Sequence, residues 1–87
     1  MNHLLHFYGK ECPHCDKVRP VIDAFEKETG QTVDRIEVWH DKKNEEIFLS
    51  YDKNEECGGV PFFINTKTNK TICGEATLKE IKEWAEV

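Results

Sequence analysis

The stretch "FYGKECPHCDKVRP", Phe7 to Pro20, decides how this chain is read. It joins an apolar, aromatic run to two cysteines, Cys12 and Cys15, spaced Cys-x-x-Cys around Pro13 and His14. Upstream, "HLLHFY" (His3 to Tyr8) is short and apolar and stops at Gly9, as a buried strand does. Downstream, Val18, Val21, Ile22 and Phe25 fall at i, i+3, i+4 and i+7, which marks one face of a helix over about Pro13–Thr29, ended by Gly30. Pro20 lies inside that pattern and predicts a kink. The cysteines therefore sit at a strand-to-helix junction. Pro13 takes the first helical position, where no helical partner awaits its missing N–H.

A Cys-x-x-Cys can hold a metal, staple a fold or shuttle electrons. Here the spacing puts both sulfurs on one helix face, close enough to join. Cys12 lies beside unpaired backbone N–H groups at the positive end of the helix dipole. That setting favours thiolate, the nucleophile of disulfide exchange. His14 adds to it by charge or hydrogen bond. Such dithiols span roughly −270 to −120 mV, and a better stabilised thiolate places the pair toward the oxidising end. Lys10, Glu11, Asp16 and Lys17 cancel in formal charge. A metal or iron–sulfur half-site without turnover is the alternative from another class. It needs further ligands from Cys57, Cys73 or a histidine, whose single, wide spacing is unlike a zinc ribbon.

Outward from the junction, Thr32 to Trp39 alternates like a strand, with Ile36 and Val38 set against Glu37 and Trp39. Asp41 suits the cap of a second helix through "KKNEEIFLSYDKN". "CGGVP" breaks the chain, and "PFFIN" and "KTIC" read as two strands joined by "TKTN". In the last helix Leu78, Ile81, Trp84 and Ala85 share a face, and Thr77 with Glu80 fits a capping box. The order is β-α-β-α-β-β-α in one domain over 1–87, an α/β chain with a parallel unit at its start and an antiparallel hairpin near its end.

Together, "FYGKECPHCDKVRP" and "GGVPFFIN" resemble the thioredoxin superfamily in its minimal form, without the extra N-terminal strand and helix. The resemblance runs from His3 to Val87. It rests most on Cys12-Pro13-His14-Cys15, on Val60-Pro61 and on Pro20, five residues after Cys15. It implies a four-stranded mixed sheet of order 2-1-3-4 flanked by helices, and thiol–disulfide exchange with protein substrates. Cys12 would attack, Cys15 would resolve, and Pro61 would be a cis-proline presenting Val60 to an extended substrate, with Gly74 as a third piece of the groove. His6 stands where thioredoxins bury an aspartate, and Glu37 roughly where they carry its lysine partner. The resemblance thus gives His6, with Glu37, the place of a proton relay for Cys15. Read alone, a strand histidine is often only a hydrogen-bonded core residue.

Departures from the pattern are informative. Pro-His replaces Gly-Pro between the cysteines, as in periplasmic disulfide oxidases, whose inserted helical domain is absent here. Glu11 replaces the usual tryptophan before the first cysteine. A glutaredoxin-like, glutathione-dependent reductase is the alternative within the class, but "CGEATLKE" lacks its Gly-Gly-x-x-Asp. Cys57 and Cys73 read as buried or inert thiols, His3 and His40 as surface residues, and Trp39 and Trp84 as packing residues.

Composition sets the remaining expectations. A net charge of −5 argues against nucleic acid, which needs a basic face. No apolar run approaches the ~18 residues of a membrane span. "MNHLLHFYG" shows neither a basic start nor a cleavage site, which points to the cytoplasm, where stable structural disulfides are uncommon. The expected partners are protein disulfides or dithiols and an electron-donating reductase or glutathione. The expected form is a monomer with no cofactor and no metal.

Overall fold

The computed structural model describes residues 2–87. Met1, on which the reading of the chain's start rests, lies outside the described residues. The elements are β1 (Leu4–Tyr8), α1 (Pro13–Thr29), β2 (Asp34–Glu37), α2 (Lys42–Tyr51), a 3-10 turn (Lys53–Glu55), β3 (Phe62–Asn65), β4 (Lys70–Cys73) and α3 (Leu78–Ala85). They form one sheet of order β2-β1-β3-β4, as expected. β1 runs parallel to β2, with Tyr8 opposite Glu37, and antiparallel to β3, with Phe7 opposite Phe62. β3 in turn pairs antiparallel with β4, with Phe62 opposite Cys73. A parallel pair cannot be joined by a hairpin, and α1 makes the crossover.

Alternation along β1 divides the core into two layers. Leu4 packs with Val18, Ile22 and Phe25 of α1 and with Phe63, Ile81 and Trp84. Leu5 and Phe7 face the other way, onto Ile36, Val38, Phe48, Phe62 and Ile64. Helices α1 and α3 therefore cover one face of the sheet and α2 the other. Only Phe48 of α2 is buried, while Leu49 and Tyr51 are 49% and 37% exposed. A short helix laid on a sheet presents one stripe to it, so its clustered apolar residues cannot all turn inward.

Local chemistry explains the ends of the elements. Asp41 caps α2 by accepting from the Asn44 amide at 3.1 Å. Thr77 and Glu80 close the capping box of α3. Gly30 ends α1 in the left-handed region at φ 72°, its N–H donating to the Glu26 carbonyl. Helix α1 continues through Pro20, whose ring forfeits one bond to the Asp16 carbonyl. β2 is shorter than the expected Thr32–Trp39, although the Val38 amide still donates to the Tyr8 carbonyl at 2.9 Å.

One expectation is overturned. Cys57 and Cys73 are not free thiols; they form a disulfide, with Cα atoms 5.5 Å apart. The cause lies in the tertiary register. β4 returns beside β3, so Cys73 comes to rest opposite Phe62, next to the segment that leads into β3. Closing a loop of this length is worth about 3 kcal/mol in the chain-entropy account.

Asn65 is wholly buried at the end of β3. Its Nδ2 donates to the Trp84 carbonyl at 3.1 Å, and its Oδ1 accepts from the Lys67 amide at 3.0 Å. It thereby ties the end of α3 to the hairpin turn. Asn65→Leu strands both backbone groups, and urea unfolding should show a loss of about 2 kcal/mol with an unchanged m-value.

Candidate active site

β1 ends at Tyr8, and a turn carries the chain to Cys12, whose amide donates to the Gly9 carbonyl at 3.1 Å. Gly9 has no room for a side chain, because a Cβ there would run into the indole of Trp39. Cys12 is the N-cap of α1, and Pro13 fills the first turn. The cap is a sulfur: Cys12 Sγ accepts from the Cys15 amide at 3.3 Å. The geometry therefore aims one of the free helix N–H groups at Cys12.

Cys12 and Cys15 are both reduced and buried, 3% and 2% exposed. Burial, and then the hydrogen bond shared with Cys12, pushes the Cys15 thiol up to about 12. Cys15 is thus a thiol at neutral pH that needs a base before it can attack.

The Val60–Pro61 bond is cis. Cys12 Sγ lies 3.9 Å from the Val60 carbonyl oxygen, and the Gly74 amide donates to the Pro61 carbonyl at 2.8 Å. The fold thus brings Val60, Pro61 and Gly74 together beside Cys12. Buried Asp52 holds the approach to this loop by accepting from the Cys57 and Gly58 amides at 2.9 and 2.8 Å. Asp52 escaped the sequence reading, because its partners become neighbours only when α2 stops one turn short of the loop.

His14 turns outward and is 65% exposed. Its Nδ1 meets a Glu75 carboxylate oxygen at 2.5 Å, and this contact holds the Glu75 carboxyl below the usual carboxylate range. Among the described residues it makes no hydrogen bond to Cys12. On the other flank the Glu11 carboxylate meets His40 Nε2 at 2.7 Å, and this contact raises the imidazole above its ordinary value. His40 is a surface residue as expected, but it clasps the motif. Two histidine–carboxylate pairs therefore bracket the Cys-x-x-Cys turn, each anchoring it to a different loop. Glu75 carried one sequence signal, its place directly after Gly74.

Behind Cys15 lies a cavity of about 240 Å³, lined by His6, Tyr8, Cys15, Arg19, Ile22 and Arg35. His6 is 3% exposed and stacks on Phe63, with ring centroids 4.3 Å apart. Its Nδ1 has no hydrogen-bond partner among the described residues. Burial, assisted by the Arg35 charge, lowers its pKa to about 3, so the imidazole is neutral at physiological pH. Glu37 is not its partner, contrary to expectation. The Glu37 carboxylate accepts from the backbone amides of Lys10, Trp39 and His40 instead, bracing the loops around the motif. Desolvation pulls the Glu37 carboxyl upward, but those bonds outweigh it and leave the group low. Arg35, opposite His6 in the sheet, takes the neighbouring place and is itself paired with Asp23 and Glu26.

Trp84 is buried as expected, its Nε1 donating to the Lys70 carbonyl at 3.1 Å. Trp39, by contrast, is 52% exposed and lies over Gly9. His3 is half-buried rather than a surface residue.

No family model matches the chain. No curated protein matches it either. Among solved structures it is similar to the crystal structure of StoA from Bacillus subtilis, at 23% identity and a TM-score of 0.56, over 95% of this chain and 81% of that one. The likeness shows the fold, which is thioredoxin-like.

The buried imidazole makes stability depend on pH. His6 binds a proton at about 3 in the folded chain and near 6.5 when unfolded. Between those values the unfolded chain binds more protons, so stability falls as the pH drops. The full effect, reached below pH 3, is roughly 5 kcal/mol. Urea unfolding from pH 7 to pH 4 should show a steeper loss in the wild type than in His6→Leu; parallel curves would contradict a buried neutral imidazole.

Proposed function

We propose that the chain is a thiol–disulfide oxidoreductase acting on protein substrates through Cys12 and Cys15. The observation that carries this is the placement of Cys12 Sγ, between the Cys15 N–H of α1 and the backbone of half-buried Val60. An extended substrate segment pairing with Val60, beside Pro61 and Gly74, brings its disulfide to Cys12. Cys12 attacks one substrate sulfur, the substrate S–S bond breaks, and the other sulfur leaves as thiolate. Cys15 then loses its proton and attacks Cys12 Sγ, releasing the reduced substrate and leaving Cys12–Cys15 oxidised. The reverse sequence oxidises a dithiol. Pro13 starts the helix, and His14 tunes the pair through its charge.

His6 is placed to relay the Cys15 proton: its Nδ1 is unpaired and it lines the same cavity, and its low pKa means it passes a proton on rather than holding it. That space is large enough for several waters at ~30 Å³ each, so a proton has a route from the Cys15 thiol to the imidazole.

Other readings have less behind them. The metal alternative needs further ligands from Cys57, Cys73 or a histidine, and the disulfide takes up the two cysteine sulfurs. Among the described residues no group of three or more His, Cys, Asp or Glu side chains converges. No helix there is long and apolar enough to cross a membrane. Donor, compartment and oligomeric form belong to this proposal as well: a reductase or glutathione, the cytoplasm and a monomer.

The deciding experiment is reduction of insulin disulfides with dithiothreitol as donor. Wild-type protein should turn over, Cys12→Ser should not, and Cys15→Ser should accumulate a mixed disulfide at Cys12 visible by mass spectrometry. Absence of turnover by the folded wild type rejects the proposal. In single-turnover reactions at neutral pH, His6→Leu should slow the resolving step by about 10²-fold and leave the first attack unchanged. An unaltered resolving step removes His6 from the mechanism.

A further inference from the structure

The Cys57–Cys73 bond is no part of the exchange just described, yet it spans the two segments that frame it. Cys57 stands three residues before Val60, and Cys73 ends β4 directly before Gly74. Val60 touches Cys12, Gly74 bonds Pro61, and Glu75 holds His14. Both halves of the bond thus lead within a few residues to a group in contact with the active-site turn. Between Cys57 and Val60 the chain has only Gly58 and Gly59, which on their own impose little order.

The bond is also placed to be reached. Cys73 is exposed and Cys57 half-buried, whereas the catalytic pair is buried. Cys73 lies opposite Phe62, and Cys57 packs on the layer containing Phe48 and Phe62, so both sulfurs sit on the α2 side of the sheet. The cavity behind Cys15 is on the other side, bounded by α1. A thiol can therefore approach Cys73 from solvent without entering the catalytic site. Accessible disulfides are the labile ones, while those shielded from thiols act as staples.

We infer that Cys57–Cys73 is a second thiol–disulfide exchange site, which takes a dithiol reductant and controls the order of the docking groove. A thiolate of the reductant attacks Cys73 Sγ, the bond to Cys57 Sγ breaks, and Cys57 leaves as thiolate and takes a proton. The reductant's second thiolate then attacks its own sulfur in the mixed disulfide and releases Cys73, which is protonated in turn. Two electrons pass to the pair, and the reductant becomes a disulfide. The Gly59 carbonyl oxygen lies 3.2 Å from Cys57 Sγ, so the new thiol has an acceptor in place. With the bond open, β4 no longer holds the Gly58-Gly59 loop, and Val60 and Gly74 lose their common anchor. The effect on substrates rests on the docking groove proposed above; the exchange itself does not.

The test uses Cys12→Ser/Cys15→Ser protein, in which Cys57 and Cys73 are the only cysteines left. After dithiothreitol, alkylation and mass spectrometry should find both thiols modified while circular dichroism keeps the folded spectrum. Hydrogen exchange at the Gly74 amide should quicken about tenfold, with the amides of β1 unchanged. Affinity for an extended peptide carrying an S-alkylated cysteine should fall by about threefold or more. A pair that stays oxidised until the chain unfolds overturns the inference, as does loss of the fold on reduction or release of both thiols with Gly74 exchange unchanged. A peptide that binds neither form counts against the groove, and the thiol count and Gly74 exchange then decide the second site by themselves.

Discussion

The double pairing of β1 is the constraint on which the rest depends. β1 runs parallel to β2 and antiparallel to β3, and β4 reverses again. The end of β1, the start of β3 and the end of β4 must then lie at one end of the sheet. Phe7, Phe62 and Cys73 mark that alignment across three strands. The Cys-x-x-Cys turn, the Val60–Pro61 bond and Gly74 meet there because each begins where one of those strands stops or starts. The site follows from strand direction before any side chain is considered.

Cys12 and Cys15 are equally buried and differ in position. Cys12 caps a helix and lies beside the Val60 carbonyl, while Cys15 lies one turn inside, against the cavity that His6 lines. Desolvation acts on both members of that inner pair in the sense that favours the neutral form. It raises the thiol of Cys15 and lowers the imidazole of His6. Moving a proton from that thiol to that imidazole would create two charges in a desolvated space, so burial holds both groups neutral in the resting protein.

The surface charges around the motif are organised rather than spread. Glu37 gathers three backbone amides of the flanking loops, and Glu11 and Glu75 each bind a histidine. Exposed ion pairs of this kind contribute little to folding. Here they tie the loops on either side of the Cys-x-x-Cys turn to it. The acidic residues that give the chain its negative charge are thus partly spent on fixing the geometry of the motif.

Much of the fold was legible in sequence because its signals are local. The span of α1, the Asp41 cap and the Thr77–Glu80 box all rest on residues within one or two turns of each other, and all appear where periodicity and capping put them. The Cys-x-x-Cys at a strand-to-helix junction and the Val60-Pro61 pair were legible for the same reason. Tertiary structure alone decided the contacts between distant segments: Cys57 with Cys73, His14 with Glu75, Glu11 with His40, and Arg35 rather than Glu37 beside His6. Strand register and sheet order determine which of these residues become neighbours, and neither is written in the local pattern of any one segment. The sequence by itself determined which reactive side chains stand at the strand-to-helix junction, because their spacing is local. The register of four strands decided which side chains surround it.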